Sequence, residues 1–183
     1  IMGKLCKTDL SKKGSGNLGT TNALRVLGFK AGAVTFIGDI LKGVVSFIIA
    51  RWLFPDMGIL AGIYACAGTI LGHDFPFYLH FKRGKGIAAT IGLVLCIGFT
   101  ESMPLMLISF IIGIVAVALS GYISLGSMLF SIAIPVCAFF FQLPLEGALV
   151  LTALTILALW KHRANIGRLR AGNENKFTLT KKV

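Results

Sequence analysis

Six apolar stretches separated by short polar loops fill most of this chain, so it must use lipid as part of its solvent. They cover residues 31–53, 57–72, 86–103, 104–121, 126–142 and 145–160. Charged residues make up 14% of the chain, against about a quarter in a soluble domain. A spanning helix needs roughly 20 predominantly apolar residues. We therefore predict an all-α, polytopic transmembrane helical bundle, with about six spans in a single integral membrane domain over residues 1–183.

The basic residues are concentrated on one side of the predicted bundle. Sixteen of the 18 Lys and Arg residues lie in residues 1–30, 73–86 and 161–183. Alternating the sides of six spans brings these three segments to the same face of the membrane. The positive-inside rule makes that face cytoplasmic. A cationic face at a lipid boundary is suited to binding anions, and the basic tail is expected to contact membrane lipid.

The first polar cluster, GSGNLGTTNALR at residues 14–25, combines glycines with small polar side chains and ends at Arg25. Backbone N–H groups in such a loop can form an anion-binding concavity, to which Arg25 adds a forked cation. The alternative is a solvated juxtamembrane loop with helix caps. The G-x-G-x-x-G spacing in this cluster also matches a dinucleotide fingerprint, but no strand precedes it, so we reject that interpretation.

The second cluster, residues 72–86, ends in Gly84-Lys85-Gly86 at the predicted start of a helix. A helix N-terminus favours anions, and an adjacent ammonium adds to that preference. The upstream Gly and following Ser or Thr of a Walker motif are missing. Lys85 is therefore the predicted anion ligand, whereas Lys82 and Arg83 are expected to face lipid headgroups.

The third cluster, residues 161–174, places polar side chains at helical spacing. His162 and Asn165 share a face, as do Asn165 and Arg168. A smaller motif, SLGS at residues 124–127, lies in a predicted turn on the same side of the membrane. Its serines either donate to an anion or cap a helix, and the sequence leaves these alternatives open.

One acid–base pair lies inside the first apolar stretch. Asp39 and Lys42 are three residues apart, so they can neutralise each other on one helix face. Charges within a span are costly and are functional candidates by default. A structural pair facing the bundle interior is favoured here over a proton or ion path, because no second intramembrane acid accompanies it.

These motifs together resemble the bacterial acyl-phosphate-dependent glycerol-3-phosphate acyltransferases. The matching residues are Ser15-Gly16-Asn17, Gly19, Thr21-Asn22 and Arg25; Asp39, Lys42 and Gly43; Gly72-His73, Phe75-Pro76, Phe81-Lys82 and Gly84-Lys85-Gly86; and His162, Asn165, Arg168-Leu169, Gly172 and Glu174. The resemblance implies transfer of a fatty acyl group from acyl phosphate to the 1-hydroxyl of glycerol 3-phosphate, giving lysophosphatidic acid and phosphate for phospholipid biosynthesis.

The resemblance also implies a bacterial cytoplasmic (inner) membrane and a further N-terminal span before Ile1. We expect a monomer with no cofactor, metal or nucleic-acid partner. The four cysteines are far apart, which is typical of small buried hydrophobic residues rather than of a metal site.

We assign the motif residues to three roles. The catalytic candidates are Ser15, Lys85, His162 and Asn165. The candidates for binding substrate phosphate are Ser15, Arg25, Lys85, Ser124, Ser127, His162 and Asn165. The residues expected to shape the site are Gly16, Asn17, Gly19, Asn22, Gly84, Gly86 and Arg168.

An acyl phosphate has a good leaving group, so we expect positioning and charge neutralisation to dominate, with a substrate phosphate oxygen taking the hydroxyl proton. A general base at His162 is the rival mechanism. The alternative function is a membrane transporter or binder of organic phosphate anions. Transporters often show internal repeats and polar residues at the membrane midplane, whereas the polar clusters of this sequence lie at one rim and no repeat is evident.

Overall fold

The computed structural model describes residues 2–76 and 84–177. The predictions for Lys82 and Arg83, and for the lipid-binding role of the last basic residues, lie outside them. Every element among the described residues is helical. In chain order the helices are α1 (Met2–Leu5), α2 (Thr20–Leu27), α3 (Phe29–Leu53), α4 (Ile59–Asp74), α5 (Ile87–Thr100), α6 (Met103–Ser120), α7 (Ile123–Phe140), α8 (Leu145–Lys161) and α9 (Arg163–Arg170), with 3₁₀ turns at Leu10–Lys12 and Pro55–Met57.

The six apolar stretches correspond to helices α3 to α8, within a few residues at each end. Three of these helices, α3, α6 and α7, are long and apolar enough to cross a membrane. Helices α8 and α9 together would form a fourth candidate span, bent by 54°. Helix α5 is apolar but shorter. The all-α class is confirmed, and the number of six spans stays a prediction.

The boundary of α7 corrects one detail. The sequence placed the SLGS motif, residues 124–127, in a turn that overlaps the start of the apolar stretch at residue 126. The helix instead begins at Ile123, so both serines lie in its first turns. The preceding chain reversal is made by Gly121, which has a left-handed backbone (φ 75°) and ends α6. Because Gly121 completes the turn, the SLGS segment is not needed for the chain reversal and can form the start of α7.

Contacts divide the chain into two units, residues 1–96 and 97–183. In the first unit, α3 packs on α4 and on the start of α5 at positions where glycine leaves room. A Cβ added at Gly43 would lie 2.6 Å from the Ala89 carbonyl oxygen. One added at Gly62 would overlap the buried ring of Phe47. Small residues at such contacts let helix backbones approach closely in a membrane.

In the second unit, α6 and α7 form an antiparallel pair, and α8 packs on α7. The first contact depends on glycine, because a Cβ added at Gly126 would lie 2.6 Å from the Gly113 carbonyl oxygen. The second includes a hydrogen bond from the Thr155 hydroxyl to the Ser131 carbonyl oxygen, at 2.8 Å. Pro135 lies inside α7.

Gly43→Ala is expected to destabilise the protein by about 1–3 kcal/mol, because the added methyl meets a backbone carbonyl that cannot rotate away. Gly38→Ala, on the same helix, is the matched control, since nothing lies within 4 Å of its added methyl. Thermal unfolding in detergent measures both variants. A Gly43→Ala midpoint at or above that of Gly38→Ala would contradict a tight approach of α3 to α5.

Candidate functional site

The glycine-rich loop before α2 is organised around one buried amide. Asn22, which is 1% exposed, donates through Nδ2 to the carbonyl oxygens of Leu10 (3.2 Å), Lys13 (3.1 Å) and Asn17 (2.7 Å). Its Oδ1 accepts from the backbone N–H of Ser15 at 2.9 Å. The side chain is therefore fully used in holding the loop and is not a free donor for an anion.

The residues around Asn22 in this loop also have defined contacts and backbone conformations. Asn17 Oδ1 accepts from the Gly19 backbone N–H at 2.8 Å. Gly14 and Gly16 have positive φ angles of 60° and 70°, and a Cβ on Gly14 would overlap the Asn22 side chain. Glycine is thus required at residue 14 by both conformation and space. The hydrogen bonds of Asn17 and Asn22 give this glycine-rich loop a defined path.

Two predicted ligands lie on the outside of this loop. Ser15 and Arg25 are exposed, with Arg25 in the last turn of α2. The Thr20 hydroxyl oxygen is buried and has no hydrogen-bond partner among the described residues. A buried hydroxyl without a partner is costly unless a ligand or water completes it. Sequence inspection had included Thr20 only as one of several polar loop residues.

The Gly84-Lys85-Gly86 segment lies directly before α5, as predicted. Lys85 is half-buried between two buried glycines, and Gly86 has a φ of 67°. A Cβ on Gly84 would overlap the His73 carbonyl oxygen and lie 2.7 Å from Asp74 Oδ1. The loop therefore passes close to the last residues of α4. We did not predict a role for Asp74, which is 1% exposed.

The predicted pair within α3 is present. Lys42 Nζ lies 2.8 Å from Asp39 Oδ1. The same ammonium also contacts Nδ1 of His73 at the end of α4. The structure therefore extends the predicted pair into a cluster of three residues on two helices.

In the second unit, His162 occupies the break between α8 and α9 and is 3% exposed. Its Nδ1 lies 2.8 Å from the Ala158 carbonyl oxygen. A carbonyl oxygen can only accept, so Nδ1 carries a proton. In the neutral ring, Nε2 is then an acceptor.

Asn165 and Arg168 share one helix face, as predicted, and both bind the same carboxylate. Asn165 Nδ2 donates to Glu174 Oε1 at 2.9 Å, and Arg168 Nε donates to Glu174 Oε2 at 2.8 Å. Glu174 was part of a recognised motif, but we had assigned it no role. It links the segment after α9 to two candidate site residues.

Ser124 is 8% exposed, and its hydroxyl has no hydrogen-bond partner among the residues that the structure describes. Ser127 is half-buried, and its carbonyl oxygen accepts from the Ser131 hydroxyl at 2.9 Å. The chain after α9 returns to the turn before Ser124, where the Phe177 N–H donates to the Gly121 carbonyl oxygen at 2.7 Å.

The predicted residues divide between the two units. The first contains Ser15, Arg25 and Lys85, and the second contains Ser124, Ser127, His162 and Asn165. Within each unit the polar groups lie at helix ends, in loops with defined hydrogen bonds. Their joint action in one site stays a prediction.

Comparison with known proteins identifies the family. The profile of the glycerol-3-phosphate acyltransferase family matches residues 1–172. The chain belongs to this family. It is 41% identical over 185 residues to the glycerol-3-phosphate acyltransferase of Shouchella clausii (strain KSM-K16), covering 97% of this chain and 86% of that protein. It is 42% identical over 180 residues to that of Alkaliphilus metalliredigens (strain QYMF), covering 97% and 87%.

The acyltransferase fold also matches solved structures. The crystal structure of PlsY (YgiH), an integral membrane glycerol 3-phosphate acyltransferase in its glycerol 3-phosphate form, matches with a TM-score of 0.87 and 33% identity, covering 97% of this chain and 86% of that chain. The lysophosphatidic acid form matches with a TM-score of 0.83 and 32% identity, over the same shares of each chain. The family resemblance and the helical membrane-protein class are thereby confirmed.

Asn22→Asp is expected to open the loop before α2, because an acceptor would replace the donor that faces three carbonyl oxygens. Unpaired buried groups of this kind cost about 1–3 kcal/mol each. This cost makes local opening of the loop easier, so trypsin should cleave after Lys13 about tenfold faster or more in detergent. Asn17→Asp keeps its acceptor for the Gly19 N–H and is the matched control. Equal cleavage rates in the two variants would contradict the central role of Asn22.

Proposed function

We propose that this protein transfers a fatty acyl group from acyl phosphate to the 1-hydroxyl of glycerol 3-phosphate, releasing lysophosphatidic acid and phosphate. The observation that carries the proposal is family membership over residues 1–172, which includes all the predicted site residues. The matching PlsY structures, in glycerol 3-phosphate and lysophosphatidic acid forms, support this substrate and product.

The reaction needs little more than aligned substrates and neutralised charge. The 1-hydroxyl oxygen attacks the acyl carbonyl carbon, and the bond from that carbon to the phosphate oxygen breaks. Phosphate leaves with the bonding electron pair, so a cation beside it stabilises the developing charge. Lys85, at a fixed loop before a helix N-terminus, is suited to this task or to holding the glycerol 3-phosphate. Arg25 and Ser15 supply further donors on the exposed side of their loop.

His162 is compatible with two roles that differ in its protonation. With a proton on Nδ1, the neutral ring can accept the hydroxyl proton through Nε2. The imidazolium would instead donate from Nε2 to a phosphate oxygen. In our preferred mechanism the phosphate oxygen takes the hydroxyl proton and His162 positions the acceptor. Asn165, fixed by Glu174, lies one helical turn further along.

The orientation belongs to the same proposal. The basic loops face the cytoplasm of a bacterial cell, where both phosphorylated substrates are available, and the protein acts as a monomer in the inner membrane. Because the helices are embedded in the bilayer, the acyl chain of the product can remain in contact with lipid. A phosphate-anion transporter is not favoured, since the family is named for an acyltransferase activity.

The purified protein in liposomes, given acyl phosphate and labelled glycerol 3-phosphate, is expected to form labelled lysophosphatidic acid. Acyl-CoA and acyl carrier protein should not replace the donor. Lys85→Ala should lower kcat/KM by about 100-fold or more, because a charge neutraliser at the reacting phosphate is lost. His162→Gln distinguishes the mechanisms: retained turnover excludes the general base. Glycerol 3-phosphate uptake into liposomes without product would instead indicate a transporter.

Ser124→Ala is expected to raise KM for glycerol 3-phosphate about fivefold or more, because one neutral hydrogen bond to substrate is lost. The stability of the free protein should not fall, since the Ser124 hydroxyl has no partner among the described residues. Ser131→Ala is the control and should keep the wild-type KM, since the Ser131 hydroxyl donates to the Ser127 carbonyl oxygen of its own helix. An unchanged KM in Ser124→Ala would remove this serine from the site.

A further inference from the structure

We propose that His73, held by Lys42 and Asp39, is a positioning residue that sets the path of the Gly84–Gly86 loop. Lys42 Nζ lies 2.8 Å from Asp39 Oδ1 and contacts Nδ1 of His73. Asp39 Oδ1 is 3.6 Å from the same ring nitrogen. The cluster connects the middle of α3 to the end of α4. The kinetic part of the inference rests on the proposed function, because it assigns Lys85 to a substrate phosphate.

The hydrogen-bond chemistry fixes the orientation of the ring. Lys42 is paired with Asp39, and the ammonium of a lysine has donors only. Nδ1 of His73 must therefore accept, which places the ring proton on Nε2. The contact selects one neutral tautomer and one ring direction. His73 differs in this from His162, whose Nδ1 donates to a carbonyl oxygen.

The opposite edge of the His73 ring lies against the loop. A Cβ added at Gly84 would be 2.6 Å from Cδ2 of His73 and would overlap the His73 carbonyl oxygen. The loop backbone therefore passes directly over this residue, and Lys85 is the next residue in the chain. Turning the ring, or moving it away from Lys42, would displace Gly84 and with it the ammonium of Lys85. Misplacement of a binding group by about 1 Å can cost on the order of 100-fold in rate.

The packing of α3 against α4 does not by itself explain this charged cluster. Glycine and aromatic contacts already pack α3 against α4, as at Gly62 and Phe47. Taking charges out of water is expensive, and a buried ion pair often stabilises a fold less than apolar residues would. The side chains of Asp39 and Lys42 are 16% and 34% exposed, so the pair is partly removed from solvent. The cluster fits a role in fixing geometry at the end of α4.

Replacement of His73 by either amide tests which ring nitrogen is used. Asn places its polar atoms near the position of Nδ1, whereas Gln reaches the position of Nε2. We expect His73→Asn to keep KM for glycerol 3-phosphate within about threefold of wild type, and His73→Gln to raise it about tenfold or more with a smaller change in kcat. Thr69→Ala, one turn earlier on α4 and bonded within its own helix, is the control and should match wild type.

A second measurement does not depend on turnover. Hydrogen exchange at the Thr90 amide, which donates to the Gly86 carbonyl oxygen at 2.9 Å, should be about tenfold faster or more in His73→Gln than in Thr69→Ala. Lys42→Met removes the contact with His73 but leaves Asp39 as an uncompensated charge, and this variant could fail to fold. The paired variant Asp39→Asn with Lys42→Met removes both charges and serves as the test in that case. The paired variant should also show fast exchange at this amide.

The outcomes separate the two proposals. A wild-type protein without acyl transfer overturns the proposed function, and the exchange experiment still tests the role of His73. If the wild-type protein is active, the inference is overturned when the KM of His73→Gln for glycerol 3-phosphate is equal to or lower than that of His73→Asn. In that case Nε2, or the packing of α3 on α4, would be the relevant feature. Unchanged exchange at the Thr90 amide in His73→Gln also overturns it.

Discussion

A helix in hydrocarbon satisfies its own backbone hydrogen bonds, but its ends do not, and neither does the chain that joins one helix to the next. In this protein two of the joining segments are held by local hydrogen bonds to one central side chain. Asn22 makes four hydrogen bonds to the loop before α2, and Glu174 binds two side chains of α9. The predicted site residues lie in or beside these segments. The same hydrogen bonds that make a polar segment tolerable at a membrane surface therefore also fix the positions of its functional groups.

Glycine also fixes the path of the chain in this structure, because it allows two backbone segments to come close together. Within the helices it allows close approach, as at Gly43 and Gly126, where the nearest atoms are backbone carbonyl oxygens. At Gly84 it allows a loop to pass over the end of α4. In both settings the space that the missing side chain leaves is occupied by another part of the same unit. Rigidity in such a protein arises from backbone contacts as much as from large apolar side chains.

The amino-acid sequence was sufficient for features that depend on neighbouring positions. Apolar stretches predicted α3 to α8 within a few residues, and the spacing of Asp39 and Lys42 predicted their ion pair. The contact of Lys42 with His73 was not predictable, because 31 residues separate them and only the packing of α3 on α4 brings them together. Asn22 was expected to shape the site, but its partners were not predictable, for the same reason. Its partners Leu10 and Lys13 precede it by nine or more residues, in a loop without periodicity.

The two candidate histidines show how one side-chain type can be adapted to different tasks by a single contact. His162 donates from Nδ1 to a helix carbonyl, which leaves Nε2 of the neutral ring able to accept a proton or a hydroxyl hydrogen bond. His73 accepts at Nδ1 from an ammonium, which leaves Nε2 as a donor and makes a proton-accepting role there unavailable. If acyl transfer requires mainly that phosphates be held in place, the chain needs few proton acceptors and many fixed donors. The two contacts therefore match the two proposed roles: His162 acts on the substrate, and His73 supports the loop that carries Lys85.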